Sequence, residues 1–272
     1  MQKYSVCMSV YKNDNAQDFK VAVLSIYHQT AAPDEIVLVI DGPIPASLQE
    51  TADALKAEIA ILKVIPLAQN MGHAIARQTA LDAASNELIA IMDADDLAVE
   101  DRFEKQLKAF EEHPEVSVVG GIIKEFIGTT DNIVGTRIVP ENDAEIKDYL
   151  KSRCPMNLVT VMMKKSDVMA AGGYIDWYCE EDYYLWVRMT QKGYKFYNIQ
   201  DNLVNVRVGD EMYQRRGGKK YFKSEARLQK YMWKNGIISL PKYLYNVTLR
   251  FTLQVLMPNK VRGWVFQKFA RS

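Results

Sequence analysis

Short apolar runs alternate with helix-periodic stretches through the first part of the chain. The pattern predicts strands at Tyr4 to Tyr11, Glu35 to Ile40, Leu62 to Pro66 and Glu87 to Met92. Helices are expected at Asn15 to His28, Ser47 to Ile59, His73 to Ala84 and Val99 to Glu112. Strand and helix in strict alternation point to an α/β fold with a mostly parallel central sheet flanked by helices. Ligands of such sheets gather beyond the carboxyl ends of the strands. Three of the four strands end in polar residues there: Ser9 and Tyr11, Asp41-Gly42, and Asp93 to Asp96.

Beyond Val116 to Gly121 the periodicity weakens. Helices are expected near Asp143 to Lys151 and Glu181 to Lys192, and strands at Tyr194 to Ile199 and Asn202 to Val208. The segment from Lys219 to Ala270 reads as two or three helices broken at Gly236, Pro241 and Pro258. At 272 residues, 48% hydrophobic and 25% charged, the chain has ample material for a core, which excludes global disorder. Its zero net charge conceals a division: residues 213–272 carry 14 Lys/Arg against the single acid Glu225. The reading is therefore a catalytic unit over 1–212 and a helical basic and aromatic extension over 213–272. Three cysteines without zinc spacing, and first residues that lead straight into a strand, suggest a reducing cytoplasmic setting. The absence of an apolar run of about 18 residues argues against a spanning helix.

Asp93-Ala94-Asp95-Asp96 places three carboxylates where a buried strand meets its loop. Clustered carboxylates repel one another unless a cation sits among them, and Mg²⁺ or Mn²⁺ is usually held by one or two carboxylates plus substrate phosphates. A solvated acidic turn capping the next helix is the competing reading. Asn70-Met71-Gly72-His73 opens a helix whose free amides favour an anion, with Arg77 one turn in. His73 itself reads as a surface residue. Glu180, Glu181 and Asp182 either supply charge to a helix N-terminus or include a general base.

The order Ser9-Val10-Tyr11, Asp41-Gly42, Asn70/Gly72/Ala76/Arg77, Asp93 to Asp96, Ala171 to Tyr174 and Glu181 to Trp186 resembles the family 2 glycosyltransferases of the GT-A fold, especially bacterial exopolysaccharide and lipid-linked oligosaccharide enzymes. The resemblance covers roughly residues 3–210 and implies a Rossmann-like, inverting, metal-dependent enzyme. By position, Ser9, Tyr11, Asp41 and Arg77 would hold the uridine end of a UDP-sugar, with Asn70 and Gly72 shaping the turn beside it. Asp95 would ligate Mn²⁺ or Mg²⁺, with Asp93 on the ribose or a metal-bound water, and Asp96 would fix the loop. Gly173 would let backbone approach the donor sugar. Asp182 would be the general base and Glu181 the fallback.

Gly209-Asp210 stands where many relatives carry a histidine, and Arg215-Arg216 could replace it on a diphosphate. The basic, aromatic tail suits peripheral contact with the cytoplasmic face of a cell membrane, where an acceptor on a polyprenyl diphosphate would reside, or a helical cap on the fold. Nucleic acid is not an expected partner, and a homodimer is left open. Competing functions are a nucleotide-sugar-binding protein without turnover and a haloacid-dehalogenase-like phosphotransferase. The latter would need its nucleophilic Asp after the first strand. A Rossmann dehydrogenase lacks its Gly-x-Gly-x-x-Gly turn.

Overall fold

The computed structural model describes residues 2–209 and 217–257. Four parallel strands form the first half of the sheet: β1 (Tyr4–Val10), β2 (Glu35–Ile40), β3 (Leu62–Pro66) and β4 (Leu88–Asp93). They are linked by helices α1 (Ala16–Tyr27), α2 (Ala46–Glu58) and α3 (His73–Ala83). Side chains alternate between two cores. Val6, Met8, Ile36 and Leu38 pack on one face of the sheet, and Cys7, Val37, Val39 and Ile91 on the other. Burial on both faces is why these strands are almost continuously apolar.

The spatial order β3-β2-β1-β4 reverses direction at β1, so a crevice opens between the loops that leave β1 and β4. In register, Ser9 lies opposite Asp93 across that boundary, and Val10 opposite Ile40 of β2.

The second half is mixed. It comprises β5 (Leu97–Ala98), α4 (Arg102–Glu112), β6 (Val118–Phe126), β7 (Ile133–Arg137) and α5 (Asp143–Leu150). Then follow β8 (Met162–Lys164), α6 (Lys165–Ala170), α7 (Glu181–Gln191) and β9 (Phe196–Arg207). β8 runs antiparallel between β4 and β6, β9 is parallel to β6, and β5 is antiparallel to β9. Two details differ from the periodicity. The strands expected at Tyr194 to Ile199 and Asn202 to Val208 are one strand, because the polar Gln200-Asp201 break is absorbed by register shifts opposite Gly121 to Ile123. The helix expected from Val99 begins at Arg102, because β9 recruits Leu97 and Ala98 into the sheet.

Two C-terminal helices follow, α8 (Lys219–Lys234) and α9 (Leu240–Phe251), the latter running into a π-helical stretch at Thr252–Leu256. Pro241 does not break a helix. It sits in the first turn of α9, where its missing N–H costs nothing, and Ser239 caps that turn by accepting from the Lys242 amide at 3.4 Å. Leu228, Met232 and Ile238 are buried in the same core as α7. Among the described residues, no helix is long and apolar enough to cross a membrane.

Candidate active site

At the carboxyl ends of β1, β2 and β4 lies a cleft of about 420 Å³, bordered by Ser9, Tyr11, Asp41, Asn70, Gly72, Asp93 and Asp95. Seven positions singled out in the sequence thus meet at one place. The loop after β1 adds Asn13, Asp14, Asn15 and Asp18 to the wall. Asn15 also starts α1 by accepting from the amides of Gln17 and Asp18, and Asp14 accepts from the Tyr11 amide at 2.9 Å.

Asp41 is buried and organises the floor. Its carboxylate accepts from the Met71 amide at 2.6 Å, the Gly72 amide at 3.0 Å and the Asn70 side-chain amide at 2.9 Å. A carboxylate has about four lone-pair sites, so these bonds leave one unfilled on a residue that borders the cleft. The neighbouring Gly42 lies at φ +82°, and a Cβ there would stand 2.4 Å from the Asn70 backbone nitrogen. No side chain fits between these two loops. Gly72, at φ +86°, has nothing within 4 Å of where its Cβ would be. The start of α3 therefore offers bare backbone to the cleft.

Arg77 does not line the cleft wall but stands behind it. Its guanidinium donates to Asp93 at 3.2 Å and to Glu181 at 2.7 Å, tying the end of β4 to the start of α7. Burial opposes its charge, yet the two carboxylates outweigh that and push its pKa up. Asp95 is in the opposite position. Among the described residues no cation pairs with its carboxylate, and crowding by protein plus repulsion from Asp93 raise its pKa to about 6. An ionised Asp95 beside Asp93 at the rim of an open cleft fits a divalent cation, which would relieve that repulsion. No cluster of three or more His, Cys, Asp or Glu among the described residues forms a complete metal cage. An ion here would need oxygens from a ligand. Asp96 is buried and accepts from the Arg207 amide at 2.8 Å, which fastens the loop to β9.

Arg207, like Asn13, Asp14, Asn15 and Asp18, is a cleft residue that the sequence reading passed over. It pairs with Asp18 at 2.9 Å, donates to the Asp95 carbonyl at 3.2 Å and lies over the Phe126 ring. Its only signal was its position two residues before Gly209, where a histidine was sought.

Asp182 and Glu181 begin α7 on the far side of Arg77. Asp182 accepts from the Tyr183 amide at 2.6 Å and lies 3.7 Å from the Cys154 sulfur. Burial, then the adjacent Glu181, push its carboxyl up to about 6. Gly173, at φ +62°, makes its close approach to Gln78, whose Oε1 would be 2.3 Å from an added Cβ. Arg215 and Arg216 lie outside the described residues.

The model of glycosyl transferase family 2 matches residues 5–169, and that of glycosyl transferase family group 2 matches residues 88–267. An uncharacterised glycosyltransferase of Haemophilus influenzae is 38% identical over 99% of both chains. The amylovoran biosynthesis glycosyltransferase AmsE of Erwinia amylovora is 33% identical over 97% of this chain and 98% of its own. The UDP-Gal:alpha-D-GlcNAc-diphosphoundecaprenol beta-1,3-galactosyltransferase of Escherichia coli is 32% identical over 99% of this chain and 97% of its own. Among solved structures, the mannosyltransferase PcManGT of Pyrobaculum calidifontis, in complex with GDP-Man and Mn²⁺, superposes with a TM-score of 0.65. That match covers 96% of this chain and 71% of that one, at 16% identity. S. aureus TarS 1-349 in complex with UDP-GlcNAc gives 0.64 over 92% and 73%, also at 16% identity. At that identity the structures speak to the fold, which is GT-A.

Proposed function

The chain belongs to glycosyl transferase family 2, and from that premise we propose that it is a metal-dependent, inverting hexosyltransferase. It moves a hexose or N-acetylhexosamine, with galactose favoured, from a UDP-sugar to a hydroxyl of a lipid-linked glycan precursor in cell-surface polysaccharide synthesis. The observation that carries this reading is the Asp95 carboxylate, without an ion pair among the described residues and crowded by Asp93, at the rim of a cleft whose floor is Asp41 and the bare start of α3. The UDP-Gal named for one full-length relative and the UDP-GlcNAc held by TarS support a uridine donor.

Ser9, Tyr11 and the open lone pair of Asp41 receive the uridine, with Asn70 and Gly72 keeping Asp41 in place. Asp95, with Asp93 beside it, would hold Mn²⁺ or Mg²⁺, an ion that supplies charge neutralisation to a departing diphosphate. Arg77 is already engaged by Asp93 and Glu181, so direct contact with the nucleotide would require it to release one of them. Gly173 is assigned to the donor sugar, and Arg215 with Arg216 to the diphosphate. Asp182 takes the acceptor's hydroxyl proton as that oxygen bonds to the anomeric carbon. The bond from that carbon to the diphosphate breaks, and its electron pair leaves with UDP. Displacement from the opposite face turns an α-linked donor into a β-linked product. Glu181 is the fallback, because its carboxylate is already engaged by Arg77 at 2.7 Å.

A lipid-held acceptor would place this work on the cytoplasmic face of the cell membrane. The test is UDP release by the full chain with a panel of UDP-sugars, with and without Mn²⁺ or Mg²⁺, for wild type and Asp95→Ala. Release from one donor that needs both the metal and Asp95 is the expected result. Metal-independent release, or full activity in Asp95→Ala, would overturn the metal assignment.

A further inference from the structure

Helix α9 is built inside out. The side it turns toward the protein is polar: Asn246, Arg250 and Gln254 are buried. Asn246 donates to the Lys151 carbonyl at 2.9 Å and to Gln229 at 2.7 Å. Arg250 donates to the Ser152 carbonyl at 2.7 Å and pairs with Glu225 of α8 at 3.2 Å, and Gln254 also bonds Glu225. The side it turns outward is apolar. Leu240, Leu244, Tyr245, Leu249, Phe251 and Leu256 are all exposed, Leu244 by 54% and Tyr245 by 62%. At 100° per residue they fall on one half of the helix together with Pro241, Thr248 and Thr252, and no exposed position between 240 and 256 is charged. A helix of a protein surrounded by water shows the reverse arrangement.

The neighbouring α8 supplies the opposite chemistry. Lys219, Lys220, Lys223, Arg227, Lys230 and Lys234 are exposed and recur at helical spacing along one stripe. The two helices run antiparallel, with Trp233 stacked on Tyr243 at one end and Phe222 against Phe251 at the other.

We propose that the outer face of α9 is an insertion surface for an anionic lipid leaflet, in which the helix lies parallel to the membrane plane with the cations of α8 close to the headgroups. The occupant follows from charge. A second copy seated on this face would bring two stripes of six exposed cations, Lys219 to Lys234, into one interface, whereas an anionic surface complements them. The stretch from Leu240 to Leu256 is about 25 Å long at 1.5 Å per residue, enough to cover an interface but without the apolar length to span it. This deepens the lipid-linked reading by naming the surface that meets the lipid, and it is tested without donor or turnover.

The experiment is flotation of the full chain with phosphatidylcholine vesicles, with and without phosphatidylglycerol. Wild type is expected to float with the anionic vesicles, more strongly at low salt. Leu244→Glu with Leu249→Glu should lower partitioning by about a hundredfold. Lys223→Glu with Lys230→Glu should remove the salt-dependent part. Both doubles alter exposed side chains, so thermal unfolding and UDP release should match wild type. Failure of wild type to float, or flotation of the leucine double like wild type, would overturn the proposal. So would a dimer in sedimentation equilibrium that the leucine double dissociates without changing vesicle binding, since the face would then belong to a second copy. If vesicle binding holds and UDP release fails for every donor, the loss falls on the catalytic reading and not on the surface.

Discussion

Asp182 and Glu181 are adjacent in sequence and opposite in surroundings. Glu181 faces the Arg77 guanidinium at 2.7 Å, while Asp182 is half-buried beside Glu181 and pushed up to about 6. A base must be ionised to take a proton, so kcat/KM is expected to fall as pH drops below about 6. Stability has the opposite sign. An Asp whose folded pKa lies above its unfolded value of about 3.9 favours the protonated folded state, and that contribution is lost as pH rises from about 4 to 6. Asp182→Asn should cut turnover by about 10²–10⁴-fold, with UDP binding by calorimetry kept. Arg77 tests the coupling. Arg77→Met strands Glu181 and Asp93 without their cation, at an expected cost of about 3–5 kcal/mol in urea unfolding. It also removes a charge that holds the Asp182 pKa down. The acid limb of the pH profile should therefore move to higher pH in this variant.

The loops after β2 and β3 meet so closely that one glycine decides whether they can. Gly42→Ala adds a methyl 2.4 Å from the Asn70 backbone at a left-handed φ, an expected loss of about 2–4 kcal/mol. Gly193→Ala is the control: its φ is also +82° but nothing lies within 4 Å, so it should cost about 1 kcal/mol and leave donor affinity unchanged. Gly42→Ala should weaken donor binding as well, since Asp41 is held by Asn70 to Gly72. The parallel half of the sheet was legible because its strands are apolar on both faces and each is followed by a helix-periodic stretch. The strand ends Ser9, Asp41 and Asp93 could be placed together from topology alone. Other contacts were not legible. β8 is three residues long and takes its place between β4 and β6 through pairing that leaves no periodic trace. The Arg77 to Glu181 link spans 104 positions, and nothing near either residue announces it. Arg207 reaches the cleft only because β9 returns beside β6 and its amide is held by Asp96.

The C-terminal helices carry two loads that truncation can separate. α8 and the turn after it complete a core: Leu228, Met232 and Ile238 pack with Trp186 and Val187 of α7, and Tyr231 meets Tyr184 edge-on. Burying three such side chains is worth about 5–9 kcal/mol, comparable with the whole net stability of a typical domain, about 5–15 kcal/mol. A chain ending at residue 212 should therefore be aggregated or partly unfolded, seen as lost cooperativity in thermal melting. A chain ending at Gly236 keeps α8 and loses α9, whose buried face is polar. Its removal forfeits Ile238 and exposes Glu225 and Gln229, groups that water can solvate. That shorter chain should melt cooperatively with a loss of about 2–3 kcal/mol, retain metal-dependent UDP release, and fail to float with anionic vesicles. If it unfolds as readily as the chain ending at 212, then α9 is part of the structural cap, held through its buried polar side. If it folds and still floats, the cations of α8 suffice for the membrane and the apolar face has another role. The two truncations together locate the border between the part of the tail that holds the fold and the part that meets the lipid.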